Sequence, residues 1–132
     1  MKIVGTGSCL PQRVVSNDDL AAIMDTSDEW ISSRTGIRNR HIATTETTTS
    51  LACDAVKSAL QDAGIDGNEI DLIIAASVST DKIVPSLACQ IQAEIGAGSA
   101  VAFDINAACS GFYSGLPQQM RILRPAGFTR QS

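Results

Sequence analysis

The chain has 132 residues, 44% of them hydrophobic and 18% charged, with a formal net charge of −4. That is enough chain and enough apolar content for a folded domain with its own core, and too little charge for a disordered one. The acidic balance argues against nonspecific binding to nucleic acid or anionic membrane, and 4% aromatic residues are too few for a base-stacking platform.

No apolar run reaches the roughly 18 residues a transmembrane helix needs. The apolar part of Met1-Lys2-Ile3-Val4-Gly5-Thr6-Gly7 is too short for a secretory signal, so a cytoplasmic location is expected. The four cysteines, Cys9, Cys53, Cys89 and Cys109, are widely spaced and there is one histidine, which argues against a zinc site and for free thiols.

In chain order, Lys2 to Thr6 reads as a short strand ending in Gly-Thr-Gly-Ser, with Pro11 closing the loop. That glycine pair is not a dinucleotide fingerprint, because the third glycine is missing and Leu10-Pro11 stands where a helix should start. Asn17 is placed to cap a helix over Asp18 to Met24, two acids following it in the first turn. Ser27 caps a second helix through Trp30 and Arg34, and Gly36 ends it. The longest helix begins at Thr49 or Ser50, with Leu51, Ala52, Ala55, Val56, Ala59, Leu60 and Ala63 at helical spacing and Gly64 as its stop.

Leu72 to Val78 is an almost continuous apolar run, the pattern of a strand buried on both faces. Pro85 in a first helical turn opens Ser86 to Ile95, closed by Gly96. Ala100 to Ile105 is another buried strand, running into Asn106-Ala107-Ala108-Cys109-Ser110-Gly111-Phe112. Strands alternating with helices predict an α/β layered fold with much parallel pairing and one folding unit.

Cys109 carries the clearest chemical signal. It stands where a strand turns into a helix, whose unpaired N–H groups and positive dipole end favour thiolate over thiol. Its neighbours Ala107, Ala108, Ser110 and Gly111 are small and leave room for an acyl group. On these residues alone, a nucleophile and a buried inert thiol stand level. Trp30 and Arg34, at i and i+4 on one helix, share a face and can hold a flat heteroaromatic ring between indole and guanidinium. The plainer reading packs Trp30 in the core and leaves Arg34 solvated. Arg38 and Arg40 fit either phosphate contacts or a solvated strand face. Cys53 and Cys89 read as packing thiols, and His41 as an exposed or edge histidine.

Ala107-Ala108-Cys109-Ser110-Gly111-Phe112 resembles the active-site cysteine motif of β-ketoacyl-acyl-carrier-protein synthase III, the condensing enzyme that initiates bacterial fatty-acid synthesis. Three further stretches agree in order and spacing: Ile3 to Ser8 with Leu10-Pro11; Asp25-Thr26-Ser27-Asp28-Glu29-Trp30-Ile31 running on to Arg34-Thr35-Gly36-Ile37-Arg38; and Pro85 to Gln92. The Asp-Thr-Ser-Asp-Glu-Trp block disfavours polyketide or hydroxymethylglutaryl-CoA relatives.

The resemblance implies the N-terminal half of a thiolase-like layered α/β fold, with a mixed, mostly parallel sheet flanked by helices. It implies that Cys109 takes an acyl group from an acyl-CoA such as acetyl-CoA, and that the acyl-enzyme condenses with malonyl-acyl-carrier protein, losing CO2 to give a 3-ketoacyl product. Trp30 and Arg34 would hold the CoA adenine with Thr26 nearby, and Val84 would border the acyl pocket. No cofactor or metal is implied, the CoA thioester being a substrate, and the full-length enzyme is expected to be a homodimer without nucleic-acid or membrane partners. The family's histidine and asparagine come from its second half and have no counterpart here. The alternative is therefore a truncated, inactive remnant.

The resemblance runs over residues 1–116 and stops. Pro117 should interrupt the helix begun at Cys109, at about 3 kcal/mol in a helix interior. Residues 117–132 lack amphipathic pattern and gather Arg121, Arg124 and Arg130. Back-translating Pro117 to Gly127 and reading one base earlier permits Ala-x-Ala-Asp-Ala-Tyr-Ile-Lys-Ala-Gly-Arg, an amphipathic helix like the family's continuation. Residues 117–132 are thus expected to be an aberrant tail, out of frame after a single-base deletion near Leu116.

Overall fold

The computed structural model describes residues 2–122, with side chains as far as Gln118. Where the sequence reads as one folding unit, the chain divides into two compact units: Cys9–Thr47, and Met1–Ser8 together with Thr48–Ser132.

In the smaller unit, β1 (Arg13–Ser16) and β2 (Asn39–Ile42) form an antiparallel ribbon, Arg13 opposite Ile42 and Ser16 opposite Asn39. Between them lie α1 (Asn17–Ala21) and α2 (Asp28–Thr35). The cap of α1 is Ser16, one residue before the expected Asn17. Its hydroxyl accepts the Asp19 N–H while the Asp19 carboxylate accepts the Ser16 N–H, a reciprocal capping box.

Asn17 is thereby freed to turn inward and is 1% exposed. Its amide nitrogen donates to Asp28 Oδ1 at 2.7 Å and to the Ile37 carbonyl at 2.8 Å, and its amide oxygen accepts from Arg40. One buried amide thus ties α1 to the first residue of α2 and to the chain entering β2. Helix α2 is bounded as expected: the Ser27 hydroxyl accepts the Trp30 N–H, and Gly36 ends the helix at φ 71°, where a side chain would be strained.

In the larger unit, α3 (Thr48–Ala63), β3 (Leu72–Ala76), α4 (Leu87–Glu94), β4 (Val101–Ile105) and α5 (Gly111–Ile122) follow in order. β3 and β4 pair in parallel, Leu72 opposite Val101 and Ala76 opposite Ile105. The core is Cys53, Ala75, Leu87, Ala88 and Ile91, with Val56, Ile73, Ile95 and Ala102 packed around it. Leu72, Ile73 and Ile74 are half-buried, because each strand of a two-stranded sheet is also an edge.

The fold class is the expected α/β, but among the described residues the strands form two separate pairs, one parallel and one antiparallel. The expected strand over Lys2–Thr6 has no ladder. Its backbone lies instead against α3: a Cβ on Gly5 would stand 2.6 Å from the Ala59 carbonyl oxygen and one on Gly7 2.2 Å from that of Ala55, so both glycines serve close approach.

Pro85 falls just outside α4, whose cap is Ser86, so it is not the first helical residue. Pro117 lies within α5 and does not end it, although the ring removes the N–H that would bond the Tyr113 carbonyl. The expected aberrant tail lies outside the described residues from 123 onward.

Candidate active site

β4 delivers the chain to the carboxyl end of the parallel strand pair, where α/β folds collect their reactive groups. The strand does not pass straight into a helix. A single 3-10 turn, Ala108–Ser110, comes first, and Cys109 is its central residue, immediately before α5. The turn is closed by the Ser110 N–H and hydroxyl, both donated to the Ala107 carbonyl, at 3.0 and 2.7 Å. Ala108 adopts φ 43°, the left-handed region that costs a non-glycine residue about 1–2 kcal/mol. The backbone on the N-terminal side of Cys109 is therefore strained, and the thiol is exposed rather than sealed behind bulky side chains.

The strand leading to Cys109 is tied to α4 by Asp104. Its two carboxylate oxygens accept the Leu87 N–H at 2.8 Å and the Ala88 N–H at 2.7 Å, two of the four donors a helix start leaves unpaired. The Ser86 hydroxyl takes a third, that of Cys89. Asp81 does the same for α3, accepting the Thr48 and Thr49 N–H groups at 3.1 and 2.7 Å. Neither acid stood out in the sequence, because its amide partners lie 16 to 33 residues away. Val84, in the loop before α4, is 82% exposed.

In the smaller unit, Trp30 is 54% exposed, not a core residue, and the Arg34 guanidinium lies 4.5 Å from its ring centroid. The expected pair is thus in contact. A flat ring held between them needs about 7 Å, two stacking distances of about 3.5 Å each, so the pair as it stands is closed on itself. A sandwiched ring requires Arg34 to swing away. Trp30 lines one open hollow with Asp25, Thr26 and Ser27, and a second with Glu29, Ser33 and Arg34. Thr26 and Trp30 therefore share a surface, while Cys109 and Val84 belong to the other unit.

Of the nearby arginines, Arg40 is occupied: it donates to the Val15 carbonyl at 3.2 Å and to Asn17. Arg38 pairs loosely with Asp28 at 3.9 Å, its own side chain largely in water and that of Asp28 less than half exposed. His41 is an exposed β2 residue with Nδ1 2.6 Å from the Pro11 carbonyl, as expected of an edge histidine. Cys53 is buried in the core, where burial pushes its thiol pKa up and the Glu94 charge adds to the effect. Cys89 is half-buried on α4. Among the described residues no cluster of three metal-capable side chains occurs, and no helix is long and apolar enough to cross a membrane.

The chain is similar to known proteins by sequence and by fold. It is 55% identical over 111 residues to a β-ketoacyl-[acyl-carrier-protein] synthase III of Streptococcus sanguinis, an alignment covering 84% of this chain and 34% of that protein. The crystal structure of 3-oxoacyl-[acyl-carrier-protein] synthase III from Aquifex aeolicus superposes with a TM-score of 0.85 at 51% identity, over 89% of this chain and 38% of that one. The priming β-ketosynthase of the R1128 polyketide pathway superposes at 0.82 with 40% identity, over 87% and 35%. No protein-family model matches the chain.

An α/β unit with a cysteine turn at the end of a parallel strand, superposing on these structures, defines a segment of a thiolase-like fold. Its sequence belongs to the β-ketoacyl-acyl-carrier-protein synthase III family, and the chain spans about a third of the length of the curated relative it matches at 55% identity.

Proposed function

We propose that this chain is the acyl-accepting segment of an initiating condensing enzyme of fatty-acid synthesis, with Cys109 as the nucleophile. The observation that carries the reading is the exposed thiol in a strained turn directly before α5. In the first step the Cys109 sulfur attacks the acyl-CoA carbonyl, the carbon–sulfur bond to CoA breaks, and CoA leaves as its thiol with the proton Cys109 loses. One thioester replaces another, so the exchange is nearly balanced. In the second step malonyl-acyl-carrier protein loses CO2, and its enolate carbon displaces Cys109 from the acyl carbonyl to give the 3-ketoacyl product.

Thr26, Trp30 and Arg34 would receive the CoA adenine once Arg34 leaves the Trp30 ring, and Val84 would border the acyl pocket. A homodimeric, cytoplasmic full-length enzyme, using no cofactor, follows from the same resemblance. The condensation step needs the histidine and asparagine that the resemblance assigns to a part of the family this chain does not span. A second reading is an inactive remnant, favoured by the proline and the arginines gathered in residues 117–132. Residues 1–116 would then be the family segment and residues 117–132 an out-of-frame tail, which resequencing around the Leu116 codon decides.

The test is intact-mass spectrometry of the chain after incubation with acetyl-CoA, beside Cys109→Ser. An acetyl-sized gain lost in the variant supports the acyl-acceptor role. No gain, or a gain that survives the substitution, removes it.

A further inference from the structure

Gly111 follows the Cys109 turn as the first residue of α5, and its glycine has no conformational excuse. Its φ of −54° and ψ of −45° are ordinary helix values that any residue adopts. What singles it out is space. It is buried, and a Cβ placed on it would stand 2.7 Å from the Ala76 Cβ, about 0.7 Å short of ordinary contact. Ala76 is the last residue of β3, and its Cβ is fixed to the backbone, so no side-chain rotation relieves the clash. One turn further, a Cβ on Gly115 would meet Ile74 Cγ2 at 3.6 Å and Ile105 Cδ1 at 3.9 Å, an ordinary fit. The close approach is thus concentrated at the end of α5 that adjoins Cys109.

We propose that the Gly111–Ala76 contact is a positioning element that sets where Cys109 stands. The bare α-carbon of Gly111 lets the first turn of α5 settle onto the end of β3, and the 3-10 turn bearing Cys109 is joined directly to that seat. An added methyl lifts the helix start and moves the thiol with it. The inference rests on the proposed acyl-acceptor role of Cys109 only for its catalytic consequence; the geometric consequence stands by itself.

The contact also predicts its own repair. Replacing Ala76 by glycine removes the clashing atom, and the next nearest, Ala76 Cα, lies at 3.7 Å, an ordinary distance. Gly111→Ala, Ala76→Gly and the double variant are prepared as the 132-residue chain, their folding followed by circular dichroism. Each is treated with acetyl-CoA and, separately, with iodoacetamide, and Cys109 modification is read by peptide mass spectrometry with Cys9 and Cys89 as internal standards. Gly111→Ala is expected to slow Cys109 acetylation about tenfold, since a displacement approaching 1 Å costs reactive geometry heavily. It is expected to change Cys109 alkylation relative to the other thiols by about threefold or more.

The double variant restores both, while Ala76→Gly alone leaves both near the parent values. A role confined to stability would lower the melting temperature of Gly111→Ala with the relative Cys109 rates unchanged, and that result overturns the inference. So does a double variant that stays as impaired as Gly111→Ala. A Gly111→Ala chain that unfolds while the double variant folds shows a role in stability alone and likewise overturns the inference. If the parent chain takes no acetyl group, the acyl-acceptor role falls and the alkylation rates alone decide whether Gly111 and Ala76 position the thiol.

Discussion

Asn17→Ala removes the amide that joins three segments of the smaller unit. The variant loses the bonds to Asp28 Oδ1 at 2.7 Å and the Ile37 carbonyl at 2.8 Å and the bond from Arg40, while the backbone bond from Asn17 N–H to the Arg38 carbonyl survives. Two of the three lost partners are charged, where a hydrogen bond contributes about 1.5–3 kcal/mol, against about 0.5–1.5 for a neutral pair. Asp28 retains 43% of its side-chain exposure and can be rehydrated, so the lower part of each range applies. The expected loss is about 3 kcal/mol.

The assay is direct because Trp30 is the single tryptophan of the chain and sits one turn into α2, the helix whose first residue Asn17 holds. With a urea slope of about 1–2 kcal/mol per molar, the fluorescence midpoint should fall by roughly 1.5–3 M. A change below about 0.5 kcal/mol, the size of an ordinary surface substitution, would refute the assignment of Asn17 as the hub.

Gly36→Ala meets no atom within 4 Å, so its cost is that of φ 71° alone, about 1–2 kcal/mol by urea denaturation; a loss well above that would mean the Cβ finds a neighbour. Glu46 is held down to a pKa of about 2 by the N–H of Gln12 first, then by those of Thr44, Glu46 itself and Thr45. A depressed carboxylate stabilises the fold fully above its ordinary value of 4.5 and loses that contribution as pH falls toward 2, so Glu46→Gln should flatten stability against pH in that window. Asp104→Ala leaves the Leu87 and Ala88 N–H groups without their acceptor at two buried residues, which should cost about 2–4 kcal/mol in urea denaturation.

What could be read in advance was what depends on near neighbours. Ser27, Gly36, Gly64 and Gly96 mark helix ends through chemistry contained within a few residues, and the structure puts caps or positive-φ glycines at each. The Cys109 turn was legible for the same reason, a strand running out into small residues. The α1 cap was placed one residue late, at Asn17, because Ser16 and Asn17 are both good caps, and only the reciprocal partner Asp19, three residues after Ser16, separates them.

Lys2–Thr6 was misread because its apolar residues fit a strand, while Gly5 and the following Gly7 answer to the backbone of α3, about fifty residues on. Asp104, Asp81 and Asn17 were invisible as anchors, since their partners are set by topology. The closed Trp30–Arg34 stack was half legible: spacing put the two on one face, but whether that face holds a gap is a matter of rotamers.

The most direct measurement is peptide mapping of the acetyl group after the chain meets acetyl-CoA, with all four thiols competing under identical conditions. Acetyl confined to Cys109, with Cys9, Cys53 and Cys89 unmodified, is the expected result. Acetyl spread over Cys9, Cys89 and Cys109 in proportion to their exposure would contradict it and leave Cys109 an ordinary surface thiol.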